Sequence, residues 1–160
     1  MKKIASFTVD HLRLNVGLYV SRVDKFDNII LTTYDLRYKK PNVDNVLSTT
    51  ACHTIEHLGA TFLRNHQVVK EDVVYFGPMG CRTGFYLILK GNKNSKEVFE
   101  LVKEMNEFIL KFDGKIPGQD PKDCGNYLDL DLNEAKIASL DYKKRFLLNP
   151  SEEQFIYPEN

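Results

Sequence analysis

The sequence has no excess of charge of either sign. Lys+Arg and Asp+Glu both number 22, so the formal net charge is +0. A protein that binds nucleic acid or an anionic membrane through its surface usually shows an excess of basic residues. We therefore expect neither nucleic acid nor a membrane among the partners.

A long apolar run is also missing. The first residues, "MKKIASFTVDH", contain two lysines, but the apolar stretch breaks at Ser6 and ends by Asp10. That is too short for the apolar segment of a signal peptide. No later stretch is long enough to span a bilayer. These absences predict a cytoplasmic protein.

Cysteine is scarce. The chain has three, Cys52, Cys81 and Cys124, which is an odd number. Thiols stay reduced in the cytoplasm, so a disulfide framework is not expected there. Each cysteine then needs its own explanation, which can be metal binding, chemistry or packing.

The composition is that of a folded protein. Hydrophobic residues make up 42% and charged residues 28% of 160 residues. This is ordinary for a globular protein, and the length suits one domain with its own core. We expect residues 1–160 to form a single domain.

The pattern along the chain mixes strands and helices. Residues 12–24 and 28–38 are β-rich and flank the polar "KFDN", which predicts an antiparallel hairpin, and "DVVYF" and "TGFYLILK" predict two more strands. Helical spacing predicts a first helix over residues 48–66. A second helix is predicted over the apolar stripe at 98–112, with Asn94 and Glu97 as its capping pair. A third is predicted to run to about residue 147, capped by Asp131 with Glu134. The mixture predicts an α+β fold, a mainly antiparallel β-sheet packed against about three helices in an α/β sandwich.

The motif "HTIEH" on the first predicted helix has the spacing of a metal site. His53 and His57 are four residues apart, so their imidazoles lie on one helix face and can hold one cation. Glu56 projects about 60° from His53 and can serve as a general base. Arg64 follows about three turns along the same line and can pair with a substrate carboxylate. For such a histidine pair alone, a solvated helix face is the alternative.

A catalytic metal site needs a third protein ligand and an open position. Cys124 lies in a turn-rich loop, after a proline and directly before Gly125. A thiolate there can bind zinc or iron, although an inert, half-buried thiol fits the local sequence equally well. Cys52 points about 100° away from His53 and is expected in the core.

The stretch "GPMGCRTGFYLIL" places Cys81 in a cramped turn. Gly77, Gly80 and Gly84 surround it, which indicates the mouth of a strand. A second cysteine near a Lewis-acidic metal suggests an acid/base thiolate, since four protein ligands would close the site. On spacing alone this is a hypothesis.

Five ordered blocks, "SFTVDH", "YDLRY", "HTIEH", "GPMGCRTGFY" and "CGNY", resemble the S-ribosylhomocysteine lyase (LuxS) family over residues 6 to about 138. The resemblance implies a homodimeric carbon–sulfur lyase of the activated methyl cycle. Such an enzyme cleaves the thioether of S-ribosylhomocysteine, by carbonyl migration and β-elimination, to homocysteine and 4,5-dihydroxy-2,3-pentanedione. The second product is the precursor of autoinducer-2, a quorum-sensing signal.

The resemblance also implies a role for each matched residue. One divalent metal ion per subunit, Fe²⁺ with Zn²⁺ or Co²⁺ able to substitute, would be bound by His53, His57 and Cys124. Glu56 and Cys81 would be the acid/base pair. A substrate pocket built from both subunits would be lined by Ser6, His11, Arg37 and Arg64.

The sequence departs from the family pattern at two positions. Tyr75 stands where an acidic residue is expected, and Leu130 where many members carry histidine. Two other functions stay open on the motifs alone. One is a zinc metallopeptidase of the inverted H-x-x-E-H type, which expects a downstream glutamate as third ligand. The other is a non-enzymatic metal-binding domain with an inert Cys81.

Overall fold

The structure, a computed structural model that describes residues 8–158, contains a four-stranded antiparallel sheet. The strands are β1 (Gly17–Phe26), β2 (Ile29–Arg37), β3 (Val73–Pro78) and β4 (Gly84–Lys90). Their order across the sheet is β1-β2-β4-β3. Each pair of neighbours is antiparallel. The prediction of a mainly antiparallel sheet is therefore confirmed.

The predicted hairpin is present with shifted bounds. β1 begins at Gly17, later than residue 12, and continues through part of the "KFDN" stretch that was predicted as the turn. Phe26 pairs with Ile29, so only Asp27 and Asn28 connect the strands. Asp27 has a φ of 51°, in the left-handed region that aspartate tolerates better than most residues. A tight turn therefore replaces the longer loop.

Three helices cover one face of the sheet: α1 (Thr49–Asn65), α2 (Phe99–Lys111) and α3 (Leu132–Tyr142). Their number confirms the α+β prediction. A short 3₁₀ turn, Lys96–Val98, precedes α2, and a π-helical turn, Lys143–Leu147, extends α3. No helix among residues 8–158 is both long and apolar enough to cross a bilayer.

The helix starts follow the predicted capping residues. Ser48 Oγ accepts a hydrogen bond from the Ala51 amide at 3.1 Å, and Asn94 and Glu97 exchange hydrogen bonds as a capping box does. Asp131 caps α3 by accepting from the Asn133 and Glu134 amides.

Glu134 was predicted to help cap α3, but its side chain makes other contacts in the structure. Its carboxylate accepts hydrogen bonds from the hydroxyls of Ser48 and Thr50. Those two residues belong to the start of α1. Glu134 therefore ties α3 to the helix that carries the histidines.

The core lies between the helices and the inner sheet face. Leu36 and Leu87 of the sheet and Ile55, Leu58 and Met105 of the helices are all 0% exposed. Paired residues of neighbouring strands share a sheet face, and successive residues alternate between faces. The opposite face, which we call the outer sheet face, therefore carries an apolar row made of Phe26, Ile29, Tyr75, Tyr86 and Ile88.

We expect Ile55→Ala to lower the free energy of unfolding by about 2–5 kcal/mol, because it opens a cavity under α1. Ile137→Ala on α3 is the matched control, since Ile137 is 70% exposed and its truncation should change stability by at most about 0.5 kcal/mol. Urea denaturation measures both. Equal losses for the two variants would contradict the described packing of α1.

Candidate functional site

Helix α1 presents the two histidines side by side, with ring centroids 4.7 Å apart. Nδ1 of His53 lies 2.9 Å from the Asp129 carbonyl oxygen, and Nδ1 of His57 lies 2.7 Å from the Pro117 carbonyl oxygen. A carbonyl only accepts, so each Nδ1 carries the proton and donates it. Both Nε2 atoms are left with a free lone pair for a metal.

The third predicted ligand joins them from the loop between α2 and α3. Cys124 Sγ lies 3.3 Å from His53 Nε2. One ligand atom each of His53, His57 and Cys124 lies within 4.8 Å of the others, and they form the one such metal-ligating cluster within residues 8–158. Folding thus brings the loop cysteine to the helix pair.

The donor set fits a divalent metal. Two imidazole nitrogens and one thiolate suit zinc or ferrous iron, and three protein ligands leave a position for a further ligand. All three side chains are partly exposed, so such a ligand can reach the site. The Asn126 amide donates to Cys124 Sγ at 3.4 Å, which helps to hold the sulfur in place beside His53.

Gly118 belongs to this site, and the sequence analysis did not identify it. Its φ is 73°, which side chains rarely adopt, and an added Cβ would lie 3.1 Å from His57 Nδ1. A glycine lets the loop approach the imidazole closely enough for the Pro117 carbonyl to orient it. The only sequence signal was its place in a proline- and glycine-rich turn.

Glu56 lies on the same side of α1 as His57. With His57, Pro117 and Gly118 it lines a shallow cleft, which we call the metal-side cleft. This is the placement predicted from the helical spacing.

Arg64 lies further along α1, as its spacing predicted. Its Nη1 and Nη2 are 3.4 and 3.3 Å from the carbonyl oxygens of Val73 and Val74, at the start of the edge strand β3.

The two departures from the family pattern lie in different surroundings. Tyr75 is in β3, directly after Val74, and is 44% exposed. Leu130 packs against the hydrophobic core.

Cys81 lies in the loop between β3 and β4, which confirms the predicted strand mouth. The loop closes through a 2.9 Å hydrogen bond from the Met79 amide to the Gly84 carbonyl. A Cβ on Gly84 would collide with the Leu36 carbonyl oxygen, so glycine is required there, whereas Gly80 has open space. The cysteine itself is exposed.

A second cleft contains Cys81. We call it the thiol cleft; its lining includes His11, Ser21, Arg37, Cys81, Tyr86 and Tyr157. None of the three candidate metal ligands lines it. Within one chain the structure therefore groups His11 and Arg37 with Cys81, and Glu56 with the histidines. Ser6, predicted to bind substrate, lies outside the described residues.

The surroundings of Cys81 favour its thiolate form. Burial alone would raise the thiol's pKa, but hydrogen bonds from Thr83 and the positive charge of Arg37 lower the pKa below its usual value. Cys52 is the opposite case, because burial raises its pKa to about 11. Cys52 is 5% exposed, which confirms its predicted place in the core.

A buried ion pair supports Arg37. Its Nη2 donates to Asp35 Oδ2 at 2.5 Å, and the Tyr157 hydroxyl donates to the same oxygen at 2.7 Å. The sequence analysis identified neither Asp35 nor Tyr157. Asp35 could have been found, because residues two apart on a strand share a face. Tyr157 lies in a tail without periodicity.

Together, the fold and the site define a one-domain α+β protein with a candidate mononuclear metal centre and an exposed cysteine whose pKa is lowered. The profile of the family described as S-ribosylhomocysteinase (LuxS) matches residues 4–153. The chain belongs to this family, as the five sequence blocks indicated.

Close relatives support the same assignment. Proteins named S-ribosylhomocysteine lyase from Clostridium acetobutylicum and Finegoldia magna are each 54% identical over 159 residues, which is 99% of this chain and 100% of theirs. One from Clostridium beijerinckii is 52% identical over 158 residues, 99% of both chains. The chain therefore spans its relatives at full length.

Cobalt binding tests the ligand set without turnover. We expect Co²⁺ to bind the wild-type protein with visible absorption that includes a thiolate charge-transfer band. That band should be lost in Cys124→Ala, which removes the sulfur ligand, and kept in Cys81→Ala and Cys52→Ala. A band that survives in Cys124→Ala, or disappears in Cys81→Ala, would contradict the assignment.

Proposed function

We propose that the chain is an S-ribosylhomocysteine lyase that forms homocysteine and 4,5-dihydroxy-2,3-pentanedione. The observation that carries the proposal is the convergence of His53, His57 and Cys124 in a chain of the LuxS family. The thiol of Cys81, whose pKa is lowered, would supply a proton-transfer group, which the reaction also needs.

The three ligands would hold one Fe²⁺ per chain, with Zn²⁺ or Co²⁺ able to take its place. The bound ion would supply Lewis-acid polarisation of a substrate oxygen, which acidifies neighbouring C–H bonds. The protein's contribution is to present two neutral imidazoles and a thiolate in fixed orientations. The carbonyls of Pro117 and Asp129 support this role, because they hold each Nδ1 proton away from the ligand atom.

Glu56 and Cys81 would move the protons. Carbonyl migration along the ribose chain needs a base that takes a proton from one carbon and returns it at another, so two groups at different positions are useful. In the elimination, the electron pair of a C–H bond next to the carbonyl expels the thioether sulfur. The sulfur then takes up a proton, so no external oxidant or reductant is required.

Polar and charged side chains would bind the substrate. Arg64 would pair with the homocysteine carboxylate, and the exposure of its side chain near the start of edge strand β3 supports this role. His11 and Arg37 would contact the sugar, since both line the thiol cleft. Ser6 is proposed for the same pocket on the family resemblance alone.

We also propose that the active site forms between two copies of the chain. Glu56 and Cys81 must reach the same substrate, yet within one chain they line different clefts. The outer sheet face supports a homodimer, because Phe26, Ile29 and Tyr75 on it are 60%, 55% and 44% exposed. An apolar row of this kind is typical of a protein interface. In such a dimer, one chain would supply Cys81 and the other would supply Glu56 and the metal ligands.

The remaining assignments follow from this function. Residues 1–160 would form one catalytic domain that works in the cytoplasm, which agrees with three unpaired cysteines. The pentanedione product would be the autoinducer-2 precursor of a quorum-sensing pathway. The metallopeptidase alternative lacks support, because the residue beside the histidines is Cys124 and no glutamate joins the cluster within residues 8–158.

Turnover under anaerobic conditions tests the activity. The Fe²⁺-loaded protein should release free thiol from S-ribosylhomocysteine, measured with a disulfide dye. We expect Glu56→Gln and Cys81→Ala each to lose at least about 100-fold in rate, because each removes a proton-transfer group. Wild-type rates in both variants, or no release from metal-replete wild type, would contradict the proposal.

Mixing the two inactive variants tests the shared site. If Glu56 and Cys81 come from different chains, a mixed dimer of Glu56→Gln and Cys81→Ala contains one intact site. Random exchange should then restore about a quarter of the wild-type activity, since half the dimers are mixed and each has one of two sites intact. If both groups come from the same chain, every site lacks one group and no activity returns.

A further inference from the structure

A series of side-chain contacts links the buried ion pair to Cys81. Arg37 Nη2 donates to Asp35 at 2.5 Å, and Arg37 Nη1 donates to Thr83 Oγ1 at 2.5 Å. Thr83 Oγ1 in turn lies 3.1 Å from Cys81 Sγ. Asp35, Arg37 and Thr83 are 0%, 3% and 5% exposed. Water therefore does not compete for the contacts that Arg37 makes with Asp35 and Thr83, and they are stronger than they would be on the surface.

The direction of the hydrogen bond between Arg37 and Thr83 is fixed by chemistry. A guanidinium has donors and no acceptor, so the Thr83 oxygen must accept from Arg37. The single hydroxyl hydrogen of Thr83 is then free to point at the Cys81 sulfur. A hydrogen bond donated to sulfur favours the thiolate over the thiol.

We propose that Thr83 is a positioning residue that couples Arg37 to Cys81 and keeps the sulfur deprotonated and directed into the thiol cleft. This rests on the proton-transfer role proposed for Cys81 above. Thr83 would act through the sulfur and need not touch the substrate. Its position is fixed independently, because its carbonyl accepts hydrogen bonds from the Tyr38 and Lys39 amides at 3.0 and 2.9 Å.

The charges around the thiol agree with this role. The titratable or charged groups that face Cys81 from neighbouring elements are His11, Arg37, Cys52, Tyr86 and Tyr157. Among the causes that act on the pKa of Cys81, burial raises it, while the contacts from Thr83 and Arg37 lower it and prevail. Thr83 contributes hydrogen bonds from its side chain and backbone, which lower the pKa more than the charge and the hydrogen bond of Arg37 do.

Tyr157, near the C-terminus, contacts the Asp35 end of this series. The Tyr157 hydroxyl donates to Asp35, and the Tyr157 ring stacks on Tyr19 with centroids 4.9 Å apart. Asp35 is thereby fixed from a second side. The same carboxylate oxygen accepts from Arg37 Nη2, while Arg37 Nη1 donates to Thr83.

The test is the pH dependence of Cys81 alkylation by iodoacetamide in the metal-loaded protein, followed by mass spectrometry of the Cys81 peptide. Thr83→Val removes the hydroxyl at nearly constant volume. We expect alkylation at mildly acidic pH to become about tenfold slower, because less thiolate is present, while the rate at high pH is retained. Thr83→Ser should restore the wild-type profile.

Thr32→Val is the matched control. Thr32, in β2, is another buried threonine, 0% exposed, and its hydroxyl donates to the Gly91 carbonyl at 2.7 Å, away from the thiol cleft. Its loss should leave the Cys81 profile unchanged. Thr83→Ala serves the same purpose as Thr83→Val if the valine variant does not fold.

An unchanged Cys81 profile in the folded Thr83 variants would overturn the proposal, as would a shift of equal size in Thr32→Val. Alkylation needs no substrate, so this result is separate from the test of lyase activity. In turnover, Thr83→Val should lower kcat with little change in KM. A rise in KM with no change in kcat would instead indicate that Thr83 binds substrate, which contradicts a positioning role.

Discussion

The candidate site depends on one constraint, the fixed orientation of two imidazoles on α1 by backbone carbonyls of a loop from elsewhere in the chain. Pro117 and Asp129 accept the Nδ1 protons of His57 and His53, and the same loop carries Cys124 to the free Nε2 atoms. Ligand position and ligand protonation are thus set together. Loop and helix would therefore order together when a metal binds.

The sheet organises the other half of the chemistry. Antiparallel pairing of β2 with β4 places Arg37 opposite Gly84, next to Thr83 and near the Cys81 loop. Because Gly84 has no side chain, the two strands approach closely at that point. A charged group that would be costly to bury alone is paired with Asp35, and its second donor is directed at Thr83. The outer sheet face then offers an apolar surface beside this polar network.

Local patterns were enough to predict the elements and the candidate metal ligands on the helix. The i, i+4 spacing placed His53 and His57 on one face, and Ser48 was correctly expected at the start of α1. What the sequence could not show depends on contacts between distant segments. The carbonyls that orient the histidines leave no side-chain signature, Gly118 looked like any loop glycine, and Tyr157 reaches Asp35 across 122 positions. The hairpin turn was misplaced because Lys25 and Phe26 pair within the strand.

A crystal structure of the metal-loaded protein, with the ion located by its anomalous scattering, tests the central claim most directly. We expect an ion about 2.0–2.1 Å from both Nε2 atoms and about 2.3 Å from Cys124 Sγ. We also expect the Cys81 thiol of a second copy to face the same cleft as Glu56. An ion bound elsewhere, or a Cys81 that faces only solvent in the assembled protein, would contradict the account.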